Sequence, residues 1–323
     1  MEIKDQKRSI AYSPPALLFN QHLETIFPAL VRKVKGIAYR RERIFTPDED
    51  FLDLDWLEQN SDQLVIISHG LEGNTQRAYI KGMARAFFNE NFDVLTWNFR
   101  GCSEELNWQL RFYHSGATDD LDLVVKHAAS TNRYKAIYLI GFSLGGNLTL
   151  KYLGEQGNKL NPLVQKGVTF SVPLDLHASC KVISQYTLYS RRFVRSLKKK
   201  VIEKSKLRPE LSIKGIGKIK TLLEFDDAYT APLHHFHGAV DYYDKCSSIH
   251  FIEGIDVPTL IVNAENDPFL EHAINQNPVL HRNPHVQFET TTHGGHVGFT
   301  LFNQNGLYWS ELRALNFILG QHV

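Results

Sequence analysis

The sequence contains few of the features that form disulfides, bind metals or cross membranes. Its 323 residues include three cysteines, Cys102, Cys180 and Cys246. Because they are odd in number and widely spaced, we expect neither a disulfide framework nor a zinc site from them. No stretch approaches the roughly 18 uncharged apolar residues that a membrane span needs, and the N-terminal residues are charged. These absences predict a soluble protein of a reducing, cytoplasmic compartment.

The chain also has little net charge, and this limits its partners. The chain has 36 Lys and Arg residues and 35 Asp and Glu residues, which leaves a formal charge of +1. Such a balance argues against nucleic acid as the main partner. With 43% hydrophobic residues the chain can bury a large core, and composition alone leaves open one domain with an insertion or two domains.

Residues 136–150, AIYLIGFSLGGNLTL, join a strand-like run directly to a helix-like pattern. Gly141 and Gly145 allow a sharp turn with Ser143 exposed at its apex, as in a nucleophile elbow. The N–H of Leu144 would then lie at a helix start, where an oxyanion is stabilised. Because G-x-S-x-G occurs by chance in roughly one chain in ten of this length, the context must support this interpretation.

The rest of the chain alternates between buried strands and amphipathic helices. Strands are predicted at 53–57, 64–70, 92–99, 167–173, 257–267 and 286–291, and helices at 78–89, 118–129, 147–153 and from 307. This alternation predicts an α/β fold with a mostly parallel sheet and helices on both faces. Residues 12–46 are predicted to form short helices with a solvated basic face and no chemistry.

Polar loops follow several of these strands, where open α/β sheets place their active sites. HGLEGN at 69–74 offers the N–H of Leu71 as a second oxyanion donor, although an ordinary turn would look the same. Asp267 ends one strand, and the loop THGGHVGF at 292–299 contains His293 and His296. The chain order Ser143, Asp267, His296 is that of the α/β-hydrolase triads.

Other polar residues have plainer interpretations. Arg100 could bind a carboxylate or phosphate, but an arginine in a strand-end loop usually fixes that loop. A metal site could be imagined among His234, His235, His237, Asp241 and Asp244. Adjacent histidines without helical or strand spacing seldom aim at one ion, so we predict no metal site.

Residues 176–255 interrupt the alternation and are predicted to form a helical cap over the site. Within them, 191–206 contains one acid among eight bases, and Val194, Leu197 and Val201 have helical spacing. This predicts a basic amphipathic helix, which could act as a lid or contact anionic lipid as a peripheral surface. A solvated outer face is the interpretation that we favour.

From about residue 14 to its end, the chain resembles the YheT-like branch of the α/β-hydrolases. The resemblance rests on PPALLFNQHLETIFPAL, HGLEG, NFRGCS, YHSGATDDL, GFSLGGN, FDDAYTAP with DYY, NDPF and HGGHVGF. It implies the α/β-hydrolase fold and a triad of Ser143, Asp267 and His296. Relatives of this branch are serine esterases, and the eukaryotic ones act on acylglycerols and phospholipids. Unlike the membrane-anchored relatives, this chain is expected to have no N-terminal span.

The sequence departs from the family pattern at three places. Asp48 and Glu49 stand where Asp-Gly is usual, Glu104 stands near a usual Gly, and His235 stands where Gly is common. None of these positions belongs to the triad. We expect Glu104 and His235 to alter the shape of the pocket.

Together these features predict a single α/β-hydrolase domain, 1–323, that hydrolyses short- to medium-chain acyl esters, monoacylglycerols among the candidates. An acyl-enzyme on Ser143 needs neither a metal nor an organic cofactor. The same triad could cleave thioesters or amides, and a non-catalytic binding scaffold would predict a damaged triad. The sequence contains no pattern that indicates an oligomeric state.

Overall fold

The apolar runs of the sequence form one sheet in the computed structural model, which describes residues 12–321. The strands are β1 (Arg40–Phe45), β2 (Phe51–Leu57), β3 (Gln63–Ser68), β4 (Asp93–Asn98), β5 (Ala136–Phe142), β6 (Val164–Phe170), β7 (Thr259–Ala264) and β8 (Val286–Thr291). They lie in the order β1-β2-β4-β3-β5-β6-β7-β8. Strand β2 runs antiparallel to both neighbours, and the six strands from β4 to β8 are parallel. The predicted mostly parallel sheet is confirmed.

Helices cover both faces of this sheet, as predicted. They are α1 (Gln21–Val31), α2 (Ala78–Asn89), α3 (Thr118–Ser130), α4 (Leu144–Gln156), α5 (Leu176–Gln185), α6 (Thr187–Leu207), α7 (Leu222–Phe225), α8 (Ala231–Leu233), α9 (Ala239–Cys246), α10 (Val279–Arg282) and α11 (Trp309–Leu319). Side chains of β3 alternate between the two faces, so that Leu64 and Ile66 join one core cluster with α3 and α4. Val65 and Ile67 join the other cluster with α2 and α11.

The edge strand β1 was not predicted, because its sequence RRERIF is charged. Its arginines do not form a free solvated face. Arg41 and Arg43 lie opposite Asp55 and Asp53 of β2, with closest N–O distances of 2.6 and 2.7 Å. These cross-strand pairs compensate two carboxylates that are buried in β2.

Helices α5, α6, α7 and α9 share a third apolar cluster, separate from the two clusters of the sheet. The predicted boundary of the insertion at residue 255 is too late. Ile249, Ile252 and Ile255 pack in the core of the sheet, next to α4. The part of 176–255 with its own core therefore ends near Cys246, the last residue of α9.

Helix α6 buries Val194, Leu197 and Val201, as its amphipathic pattern predicts. The expectation that its bases are all solvated is wrong for two of them. Lys204 is fully buried and donates to the backbone carbonyls of Asn107 and Gln109. Lys200 is mostly buried as well, with an acidic partner described below. Contact of the exposed bases with anionic lipid stays the alternative to a solvated outer face, and vesicle co-sedimentation would test it.

Within residues 12–321, no helix combines the length and the apolar composition needed to cross a membrane.

Candidate active site

Ser143 lies at the sharp turn between β5 and α4. Its backbone is in the left-handed region, with φ 52° and ψ −121°, and its N–H donates to the carbonyl of Phe170. Gly145 is required here by close approach, since a Cβ at this position would meet the carbonyl oxygen of Ser68 at 2.6 Å. The strained turn exposes the Ser143 hydroxyl at the carboxyl edge of the sheet.

The hydroxyl of Ser143 is the first member of a hydrogen-bonded chain with His296 and Asp267. Its Oγ lies 2.9 Å from His296 Nε2, and His296 Nδ1 lies 2.9 Å from Asp267 Oδ2. Asp267 is fully buried, and the His296 side chain is 11% exposed. A carboxylate can only accept, so the proton of the neutral ring is on Nδ1 and Nε2 is free to take the proton of Ser143.

The loop that contains His296 is held by helix α1. Thr25 Oγ1 accepts from the backbone N–H of His296 at 2.9 Å. The carboxylate of Glu24 is buried and accepts from the backbone N–H of Gly294 and from the side chain of Asn266. Residues 12–46, for which no chemistry is predicted, thus contribute two residues that position the loop of His296. The stretch PPALLFNQHLETIFPAL, on which the resemblance partly rests, contains both residues, but hydrophobic periodicity gives no signal for them.

His293, the other histidine of this loop, has a different environment. Its Nδ1 lies 3.3 Å from Glu24 Oε1, and 47% of its side chain is exposed. His293 makes no hydrogen bond with Ser143 among the residues described. The structure thus brings His296, and not His293, together with Ser143 and Asp267.

The two predicted oxyanion donors lie beside Ser143. Leu71 and Leu144 line the same cavity as Ser143, and neither backbone N–H has an acceptor within residues 12–321. The preceding loop approaches closely, since a Cβ on Gly70 would lie 3.1 Å from that of Ser143. Two free N–H groups at this position could bind a negatively charged oxygen.

His69 fixes the peptide between Gly70 and Leu71. Its Nδ1 lies 2.8 Å from the Gly70 carbonyl, and its Nε2 accepts from the N–H of Phe99 at 3.2 Å. In a trans peptide the N–H points away from the carbonyl, so this contact turns the N–H of Leu71 to the opposite side. Complete burial lowers the pKa of His69 to about 3 and keeps the ring neutral.

The low pKa of His69 makes the stability of the protein dependent on pH. In the unfolded chain a histidine binds its proton near pH 6.5, so the neutral folded form is fully favoured only above that pH. As the pH falls from 6.5 towards 3, we expect His69 to reduce the free energy of unfolding by about 1.4 kcal/mol per pH unit. Urea unfolding of the wild type and His69→Gln at pH 7, 6 and 5 measures this difference.

The exposed His285 provides the control for this prediction. The curve of unfolding free energy against pH should be shallower in His69→Gln and should keep the wild-type slope in His285→Gln. Parallel curves for the wild type and His69→Gln would mean that burial of His69 has no such effect.

Two cavities meet at Ser143. The smaller, of about 120 Å³, is mainly apolar, and helices α5 and α6 contribute Leu176, Ile183, Leu197 and Val201 to its wall. The larger, of about 290 Å³, is more polar and includes His296. Leu71 borders both of them. A substrate bound at Ser143 can therefore extend in two chemically different directions.

The positions that the resemblance marks as departures from the family pattern lie outside the walls of these two cavities. Glu104 is exposed and pairs with Arg41 at 2.7 Å, so the expected effect on pocket shape is wrong for it. His235 does not line either cavity, although its neighbour His234 does. Glu49 and His235 have φ values of 58° and 62°, a conformation that glycine adopts with less strain.

The remaining candidate residues have structural partners. Arg100 is buried and binds the carboxylates of Asp120, Asp50 and Asp48, as expected of an arginine that fixes a loop. His234 packs on His114, with ring centroids 4.4 Å apart, and burial lowers its pKa to about 3. Among residues 12–321, no three His, Cys, Asp or Glu side chains are grouped as metal ligands would be.

Residues 59–297 match the family model Hydrolase_4, described as "Serine aminopeptidase, S33". The chain is 33% identical over 301 residues to the Escherichia coli protein named "Putative esterase YheT", covering 90% of this chain and 87% of that protein. It is 28% identical to mouse "Phospholipase ABHD3", covering 89% and 73%. It is 27% identical to the Saccharomyces cerevisiae "Monoacylglycerol lipase", covering 85% and 62%.

Solved structures support the same fold. A Pyrococcus furiosus esterase superposes with a TM-score of 0.61 at 19% identity, covering 90% of this chain and 96% of that one. The eight-stranded sheet of the present chain, its match to the family model and its likeness to YheT agree with the resemblance seen in the sequence. The chain thus belongs to the Hydrolase_4 family of α/β-hydrolases and, within it, to the YheT-like branch of esterase- and lipase-type enzymes.

Proposed function

We propose that the protein is a serine carboxylesterase that forms an acyl-enzyme on Ser143. The observation that supports this most strongly is the continuous hydrogen-bonded chain from Ser143 through His296 to Asp267. His296 removes the proton of Ser143 as the hydroxyl attacks the ester carbonyl, and Asp267 stabilises the imidazolium that forms. The N–H groups of Leu71 and Leu144 bind the oxyanion. The protonated His296 gives its proton to the departing alcohol as the ester bond breaks, and a water molecule deprotonated by His296 then hydrolyses the acyl-enzyme and releases the acid.

The apolar cavity supports a short- to medium-chain acyl group as the part bound there. Its wall combines the loops of the sheet with the helices of 176–246, which act in this proposal as a cap over Ser143. Curated relatives are named esterase, monoacylglycerol lipase and phospholipase, and these names agree with an acyl ester as substrate. The intact hydrogen-bonded chain argues against a non-catalytic scaffold.

Labelling by a fluorophosphonate probe tests this proposal directly, because the probe reacts with an activated serine. We expect stoichiometric labelling of the wild type and hydrolysis of 4-nitrophenyl octanoate. The panel should include the octanoyl thioester and anilide, since the family description names an aminopeptidase. Absence of both labelling and turnover would contradict the proposal.

The dependence on acyl length tests the apolar cavity. Each buried CH₂ contributes about 0.8 kcal/mol, so kcat/KM should rise roughly fourfold per methylene until the cavity is full. The measurement is kcat/KM for 4-nitrophenyl esters from acetyl to decanoyl. A series that is flat, or that falls from the shortest ester, would contradict an apolar acyl cavity.

A pair of variants locates this preference in the cavity. Ile183 borders it, whereas Ile202 is exposed on the outer side of α6. Ile183→Phe should move the optimum to a shorter acyl chain, because the larger ring occupies part of the cavity. Ile202→Phe should retain the wild-type optimum. A shift of equal size in both variants would indicate a general effect on the cap.

A further inference from the structure

The position of His296 assigns the two cavities to the two halves of an ester. This step rests on the proposed function. After Ser143 attacks, the protonated His296 must give its proton to the oxygen of the departing alcohol. His296 borders the larger cavity and is not among the residues that line the smaller one. The alcohol therefore lies in the larger cavity, and the acyl group lies in the smaller, apolar cavity.

The wall of the larger cavity has an excess of positive charge. Glu72 is the acidic residue of this wall. Its carboxylate already binds Lys200 and Ser196 at 2.6 Å and Tyr113 at 2.9 Å. Arg32, one of the cations on this wall, is paired with Glu311 at 2.6 Å. The existing ion pairs thus satisfy the carboxylate and one of the guanidinium groups.

Two further cations of this wall, Arg77 and Arg192, have no such partner. Within residues 12–321, no carboxylate oxygen lies within 4 Å of either guanidinium. Both side chains are exposed, and Arg77 donates one bond to the backbone carbonyl of Glu72. Arg192 lies one helical turn before Ser196, which also contacts Glu72. Both arginines line the larger cavity, and the loop of Arg77 and the helix of Arg192 each contact Glu72.

We propose that the preferred substrate is an acyl ester whose alcohol part carries an anionic group, phosphate or carboxylate, that Arg77 and Arg192 bind. Guanidinium groups bind both anions through paired N–H donors, and such charge-assisted bonds are stronger than bonds to neutral hydroxyl groups. The two halves of the substrate then have opposite characters. The acyl chain is apolar, and the leaving alcohol is negatively charged.

Esters that share one acyl group test this substrate class. The probes are 1-octanoylglycerol, 1-octanoylglycerol 3-phosphate and the octanoyl ester of glyceric acid. At low salt the wild type should show a kcat/KM on the order of tenfold higher for an anionic ester than for the neutral one. Added salt should reduce this ratio by screening the exposed arginines. The comparison of the phosphate with the carboxylate identifies the anion, and equal values for the neutral ester and both anionic esters would overturn the proposal.

Three variants locate the effect. Arg77→Gln and Arg192→Gln should each lower the ratio of anionic to neutral kcat/KM severalfold. Arg191→Gln is the matched control, because Arg191 immediately precedes Arg192 on α6 but lines an outer groove and not this cavity. Its ratio should equal that of the wild type. An equal loss in Arg191→Gln would overturn the assignment, since it would indicate an effect of overall surface charge.

Failure of this inference can be distinguished from failure of the esterase proposal. A wild type that reacts with the fluorophosphonate and hydrolyses the neutral ester as fast as the anionic ones would overturn the anionic alcohol alone. A wild type that neither reacts with the probe nor hydrolyses any ester would overturn the esterase itself and, with it, this inference.

Discussion

Replacement of Ser143 by alanine is expected to abolish fluorophosphonate labelling and to lower kcat for ester hydrolysis by roughly 10⁴- to 10⁶-fold. The loss is large because His296 and Asp267 act only through the hydroxyl of Ser143. The fold should survive, since that hydroxyl bonds only to His296 among the residues described and alanine adopts φ 52° with the same strain as serine. Labelling and kcat are measured beside the circular dichroism spectrum and the thermal midpoint.

Ser205→Ala provides the matched control for this experiment. Its hydroxyl also makes one hydrogen bond, to the carbonyl of Ile202, but it lies on the outer part of α6. This variant should retain both labelling and turnover. Labelling that persists in Ser143→Ala would assign the reactive serine to another position.

Much of the sheet could be predicted because its strands are short apolar runs and its helices have apolar residues at regular spacing. The predicted helix 78–89 has the bounds of α2, and β8 has those of the predicted strand 286–291. Strand β1 lacks this signal because the first four residues of RRERIF are all charged. Its stability depends on carboxylates of β2, and a partner on another strand leaves no local pattern in the sequence.

The same limit applies to the buried lysines of α6. A high density of charged residues along a helix predicts a solvated face, and this prediction is correct where no other part of the protein packs against that face. Lys200 and Lys204 instead meet Glu72 and the carbonyls of Asn107 and Gln109, which lie about a hundred residues earlier in the chain. Sequence spacing could not show that these groups accept the two ammonium groups.

The candidate site was more predictable than these ion pairs. Each of its three residues follows a parallel strand, and the carboxyl ends of parallel strands meet at one edge of a sheet. Topology alone therefore brings Ser143, Asp267 and His296 together. The support from Glu24 and Thr25 could not be derived in this way, because α1 precedes the sheet and reaches the His296 loop across some 270 residues of sequence.

The two histidines of that loop should differ greatly in their effect on activity. His296→Ala should lower kcat by roughly 10⁴- to 10⁶-fold, because Ser143 then has no base to accept its proton. His293→Ala should lower kcat less than about fivefold, since a contact made by a half-exposed side chain, such as that of His293 with Glu24, contributes at most about 1 kcal/mol. The measurement is kcat for 4-nitrophenyl octanoate with each purified variant.

A double variant tests whether His296 and Ser143 act as a unit. If His296 acts only by activating Ser143, then Ser143→Ala/His296→Ala should be no slower than either single variant, because groups that act as a unit lose their effect together. In contrast, the effects of Ser143→Ala and His293→Ala should not depend on each other, since the two side chains are not hydrogen-bonded in the described structure. If the losses in kcat from Ser143→Ala and His296→Ala multiply in the double variant, His296 does not act only through Ser143. An inactive His293→Ala beside an active His296→Ala would show that His293, and not His296, is the base.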